Sequence, residues 1–212
     1  MVSTSNFKLS NIFVETDVLI CNNYVLICDT MRELFGKYKS VIRFILTFLG
    51  SYFLLALVYQ GYLKFGASDV YYPDYITHLV AQQSEAVINA FGYESVVEPH
   101  PDEASMKLYI NGNYLARVVE GCNAISVMIL FVAFIIAFFD TWKSTLLYIL
   151  AGTALIYGLN IFRIAFLCIG IFEYPEQYHL LHGILFPLVI YGIVFLLWLV
   201  WVNRFSRKKV NT

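Results

Sequence analysis

Four apolar runs, each separated from the next by a polar stretch, constrain this chain more than any other feature. They are "VIRFILTFLGSYFLLALVYQGYL" at 41–63, "AISVMILFVAFIIAFF" at 124–139, "TLLYILAGTALIYGLNIFRIAFLCIGIF" at 145–172 and "GILFPLVIYGIVFLLWLVWV" at 183–202. A hydrocarbon core about 30 Å thick is crossed by roughly 20 apolar residues in a helix. The first and last runs meet that length. The second reaches it when Cys122 and Asn123 are counted as its start, giving a span of 122–139. The third is too long for one untilted span and too short for two, so it reads as one helix that is kinked or projecting near Gly158 to Arg163. Composition agrees, with 59% hydrophobic and 14% charged residues against the roughly 25% charged of a soluble domain. The expectation is an all-α integral membrane protein with four transmembrane helices.

Charge sets the orientation. Arg32, Lys37, Lys39 and Arg43 precede or open the first span, and Arg204, Arg207, Lys208 and Lys209 follow the last. By the positive-inside rule both ends are cytoplasmic. Residues 1–40 then form a cytoplasmic N-terminal segment and 203–212 a basic cytoplasmic tail. Four crossings put 64–121 and 173–182 outside and the turn bearing Lys143 inside. Residues 1–30 have mixed polarity, no helical period and no signal-peptide layout, and Met31 reads as a candidate true start. Native protein whose N-terminal sequence begins before Met31 would refute that reading.

The extracytoplasmic insert between the first and second spans reads as a small α+β unit. Ile76, Leu79, Val80, Val87, Ile88 and Phe91 recur at helical spacing behind Pro73 and Asp74, which suit a helix start. Two alternating runs in 105–119 then meet at Asn111-Gly112, a hairpin signal. The second run leads straight into Glu120-Gly121-Cys122.

Several classes are set aside. The formal net charge is −1 with no basic stripe, so no nucleic-acid partner is expected. The cysteines, at 21, 28, 122 and 168, pair with no histidines at metal-ligand spacing, and neither a metal nor any other cofactor is expected.

Once topology is drawn, Cys122, Arg163 and His182 all fall near the outer ends of their spans. A cysteine in the first turn of a helix is favoured as the thiolate by the helix dipole and unpaired N–H groups. An arginine in an apolar run is costly in lipid and is held toward a bundle interior or a polar cavity. A histidine can take a proton from a thiol and return it to a leaving amine. Around these three, Gly121 allows close approach of a substrate backbone, Asn160 sits one turn before Arg163 as its supporter, and Asn123 adjoins the cysteine. Glu120 either orients the site or caps the helix, and His179 competes with His182. Each has a plainer reading: Cys122 as packing, Arg163 snorkelling to lipid phosphates, the histidines as interfacial polar groups. Cys168 reads as an inert lipid-facing or core residue, and His78 and His100 as surface residues.

The wording "VVEGCNAISVMILFVAFIIAFF", "LNIFRIAFL" and "HLLHGILFPLVIYGIVFLLW" resembles the exosortase/archaeosortase family of membrane cysteine transpeptidases, over roughly 41–205. It is most similar to the small F-type branch of Gram-negative bacteria. The resemblance implies a catalytic triad of Cys122 in Glu-Gly-Cys-Asn, Arg163 in Asn-x-x-Arg and His182 in His-Gly. It also implies a multi-pass protein of the inner (plasma) membrane with an extracytoplasmic active site. Its substrates would be exported proteins with a C-terminal transmembrane sorting tail, cleaved and passed to a lipid or polymer acceptor. Ala124 departs from the pattern, standing where many relatives have glycine, and the chain is shorter than the larger exosortases. Two readings compete with a transpeptidase: a protease that only hydrolyses, and a non-catalytic membrane scaffold or accessory subunit of an export system. Selective reaction of Cys122 with an external maleimide, faster than that of Cys168, separates the scaffold from the enzymes.

Overall fold

The computed structural model describes residues 36–65 and 72–206. The readings for residues 1–30, for Met31 and Arg32, and for the basic tail at Arg207 to Lys209 lie outside the described residues. The chain partitions into two compact units, 1–46 and 47–212. In the first, the described residues, 36–46, are the start of a helix; the insert, the bundle and the candidate site described below belong to the second.

Helix α1 is Gly36–Phe65, longer at both ends than the apolar run from which it was expected. The insert begins with helix α2, Tyr75–Ala90, whose N-cap is Asp74. The Asp74 carboxylate accepts the backbone N–H groups of Ile76 and Thr77 at 3.0 and 3.1 Å, satisfying donors that a helix start leaves orphaned. Three antiparallel strands follow in the order β1 (Ser95–Pro99), β2 (Ser105–Ile110), β3 (Asn113–Val119). The β2–β3 turn is Asn111-Gly112, both at positive φ, as a two-residue hairpin of matching twist requires. Strand β1 is an addition to the expected hairpin. It is five residues long and ends in a proline, and it pairs antiparallel with β2 from Ser95 with Ile110 to Pro99 with Met106 across a loop that carries no tight-turn signal such as Asn-Gly.

Met106, Leu108 and Ile110 alternate onto the inner sheet face. There they pack with Val80, Ala81 and Ile88 of α2 and with Ile164, Ala165 and Cys168 of helix α4 (Trp142–Glu173). Helix α4 is continuous through 158–163, and at about 1.5 Å per residue its 32 residues rise about 48 Å. Its C-terminal half serves as a wall of the insert. Cys168 is a core residue there, fully buried.

The N-terminal half of α4 packs instead against helix α3 (Ile125–Ala137) and helix α6 (Phe186–Ser206) around Phe131, Ile135, Ile156, Val194 and Trp201. Tyr148 donates to the Leu197 carbonyl at 2.7 Å and Trp201 to the Phe138 carbonyl at 3.2 Å, tying the three helices at the end remote from the insert. Between α4 and α6 lie a short 3-10 turn (Pro175–Gln177), a single turn, α5 (Tyr178–Leu180), and a π-helical turn (Leu181–Leu185). Pro187 accounts for the widened turn. Lacking an N–H, it cannot bond the Gly183 carbonyl in α-helical register.

Among the described residues, three helices are long and apolar enough to cross a membrane: Gly36–Phe65, Trp142–Glu173 and Leu181–Arg204. The expected fourth span, 122–139, is represented by a shorter apolar helix. Helix α3 holds only 13 residues, about 20 Å of rise, because Ala124 adopts a left-handed conformation (φ 63°) that separates Cys122 and Asn123 from the helix.

Candidate active site

The Glu-Gly-Cys-Asn sequence forms a tight corner between the sheet and α3. Strand β3 delivers the chain into a 3-10 turn, Glu120–Cys122, and left-handed Ala124 then redirects it into α3. Cys122 thus lies on its own turn ahead of the helix, which corrects its expected place in the first helical turn. Glu120 does not cap α3. Asn123 does that work, its Oδ1 accepting the Ile125 N–H at 3.0 Å. Left-handed Ala124 carries the steric cost of a Cβ in that region, a cost glycine would not carry.

Three helices hold this corner. From α4, Asn160 (2% exposed) donates through Nδ2 to the Cys122 carbonyl at 2.8 Å. This bond serves the cysteine's backbone, a contact beyond the support of Arg163 expected from the sequence. From α2, Thr77 accepts from Asn123 Nδ2 at 3.1 Å. From α1, the Tyr59 hydroxyl accepts from the same Nδ2 at 2.8 Å and donates to the Glu120 carbonyl at 3.4 Å. Cys122 is half-buried, its side chain against the cluster that contains Ile164, Ala165 and Cys168.

Arg163 is one turn beyond Asn160 on α4. Its Nε is buried with no hydrogen-bond partner, a cost that a folded protein ordinarily avoids unless a ligand or substrate group completes the site. His182 lies on the π-helical turn, which meets α4 where the Leu181 side chain covers Gly170. Both His182 and His179, in α5, are exposed. Along α4 the Cys122 turn meets the helix at Asn160, Arg163 follows one turn on, and the His182 turn meets it at Gly170, about 10 Å beyond Arg163. Gly121 is exposed, and a Cβ there would come no closer than 4.0 Å to another residue, so the fold itself does not demand glycine. Burial, and secondarily the charge of Asp74, pushes the Glu120 carboxyl above its ordinary range. In the insert, His78 and His100 are half-buried rather than free surface groups. His78 Nδ1 is 3.3 Å from the Tyr72 carbonyl, and His100 Nδ1 accepts the Asp102 N–H.

A family model described as transmembrane exosortase matches residues 41–202. The chain belongs to the transmembrane exosortase family. Searches of curated proteins and of solved structures found nothing that matches. The matched range covers most of α1, the whole insert and the bundle through α6, so every residue of the corner in this exosortase lies within it. Tyr59 and Thr77 escaped the sequence reading, Tyr59 lying within an apolar run and Thr77 between the apolar positions of a helix. Their partner, Asn123, is 64 and 46 residues away, beyond the reach of any local pattern.

Proposed function

We propose that this exosortase is a membrane-embedded cysteine transpeptidase of the F-type branch that cleaves C-terminal sorting tails of exported proteins and transfers the product to a lipid or polymer acceptor. The observation that carries the reading is the docking of the Cys122 carbonyl on Asn160, one helical turn from an arginine whose buried Nε has no partner. In this mechanism the Cys122 thiolate attacks the scissile carbonyl, giving a tetrahedral intermediate and then a thioester. His182 takes the thiol proton and returns it to the leaving amine. Arg163 stabilises the developing oxyanion with its free donor. An acceptor amine or water then resolves the thioester. Confining the substrate's tail helix and this bundle to one membrane raises their effective concentration.

The site lies on the extracytoplasmic face of the inner (plasma) membrane, with both termini cytoplasmic, on the strength of the basic residues flanking the first and last spans. On this reading α3 completes a fourth crossing by local bilayer thinning or by burial among its neighbours. Strand β3 is an edge of the sheet and leads directly to the corner, which suits it to pair with an extended signature motif of the substrate.

The test is processing of a co-expressed, tail-bearing protein from the same genome by wild type, Cys122→Ala, Arg163→Ala and His182→Ala at equal membrane levels. Full-length substrate is expected to accumulate in all three variants but not in Cys168→Ala or His179→Ala. Unchanged processing by Cys122→Ala would leave a membrane scaffold as the better account. Product mass separates transfer from hydrolysis.

A further inference from the structure

We infer that Tyr59 of α1 is a positioning residue for the Cys122 turn, acting through its hydroxyl on both sides of the cysteine; the inference rests on the cysteine chemistry proposed above. Asn123 is 1% exposed and its amide is fully used. One face of Nδ2 donates to Tyr59 and the other to Thr77, while Oδ1 accepts from Ile125. The reverse orientation would set an NH2 group against the Ile125 N–H, donor against donor, so the amide has one satisfiable placement. Because the Tyr59 oxygen already accepts from Asn123, its single proton is free to point at the Glu120 carbonyl. One hydroxyl therefore bridges the residue after the cysteine and the residue two before it. Asn160 holds the carbonyl between them from the other side.

Removing that hydroxyl leaves a buried amide N–H without an acceptor and a carbonyl without its donor. The turn then relaxes in a direction that moves Sγ relative to Arg163. Misplacement of a reacting group by about 1 Å costs on the order of 100-fold in rate, so even a smaller shift reaches about tenfold. The neighbouring Tyr62 provides a matched control. Its ring stacks on Tyr59 with centroids 6.1 Å apart, and its hydroxyl bonds the Asp74 cap of α2 at 3.2 Å instead of the cysteine turn.

The experiment compares wild type, Cys122→Ala, Tyr59→Phe and Tyr62→Phe in membranes, using the same co-expressed tail-bearing protein. It measures processing rate against substrate level, thermal midpoint, and alkylation of Cys122 by an impermeant maleimide. Tyr59→Phe is expected to lower the maximal processing rate at least about tenfold at unchanged half-saturating substrate level, with Cys122 alkylated at least as fast as in wild type. Tyr62→Phe is expected to process at the wild-type maximal rate whatever its thermal midpoint. An inactive Cys122→Ala beside a Tyr59→Phe of wild-type rate would overturn this inference alone. A fully active Cys122→Ala would overturn the cysteine chemistry and the inference with it. Should Tyr59→Phe fail to accumulate, Thr77→Val removes the other acceptor of the same amide and reads the same link: a tenfold fall supports it and a wild-type rate overturns it.

Discussion

Gly121 has room for a side chain, and nothing in the folded chain asks it to be glycine. If its open face is where substrate backbone lies, Gly121→Ala should keep its stability within about 0.5 kcal/mol of wild type, as surface substitutions do, while processing falls about tenfold or more. Processing at the wild-type rate would remove substrate contact from this position. Glu120 offers a pH test. Its carboxyl is held above the ordinary range by burial and then by Asp74, so the folded state binds this proton more tightly than the unfolded state. The stability this contributes is fully present below the unfolded value, near 4.5, and is lost as pH rises through the raised one. Glu120→Gln should flatten the fall in thermal midpoint over that window. Equal slopes in the two proteins would show that Glu120 is not the group responsible. Gly121, Cys122 and Asn123 stood out in the sequence by residue type at the start of an apolar run, and the structure gathers them in one corner ahead of α3. Which partner each polar group chooses was not legible, as the bond from Asn160 to the cysteine carbonyl shows.

At the scale of elements, the hairpin was readable from Asn111-Gly112 between alternating runs, and the helical start at Asp74 from its capping chemistry. Strand β1 and the shortened α3 were not, since one is a short, proline-ended strand joined to β2 by a loop without a tight-turn signal and the other depends on a single left-handed residue within an apolar sequence. Packing between helices makes a further prediction. Gly152 of α4 faces the Phe131 ring of α3 so closely that an added Cβ would run into it, whereas Gly158, one and a half turns on, faces open space. Gly152→Ala should therefore destabilise by about 1–3 kcal/mol, the range for overpacking a formed core. Gly158→Ala should be neutral or slightly stabilising, from helix propensity alone. Thermal midpoints of the two variants in the same detergent check this, and equal effects would contradict the α3–α4 contact.

Over the whole molecule, α4 belongs to two cores. Its N-terminal half closes the bundle and its C-terminal half closes the insert, so the insert is fixed to a membrane helix by side chains as well as by the chain's continuity. The proposed orientation places these cores on different sides of the bilayer's outer boundary. In a chain freed of native cysteines, Asn113→Cys should react with an impermeant maleimide applied to spheroplasts, and Lys143→Cys only after the membrane is opened. The opposite pattern would invert the topology. The rise of α4 from Trp142 to Asn160 is about 27 Å, close to the thickness of the hydrocarbon core. With Asn160 gripping the backbone of Cys122, the proposed placement would make the helix a gauge, setting the sulfur roughly one bilayer thickness from the opposite face. A tail helix one turn shorter or longer than this gauge would offer its bond about 5 Å too low or too high. Such a protein would count its substrate's residues as well as read them.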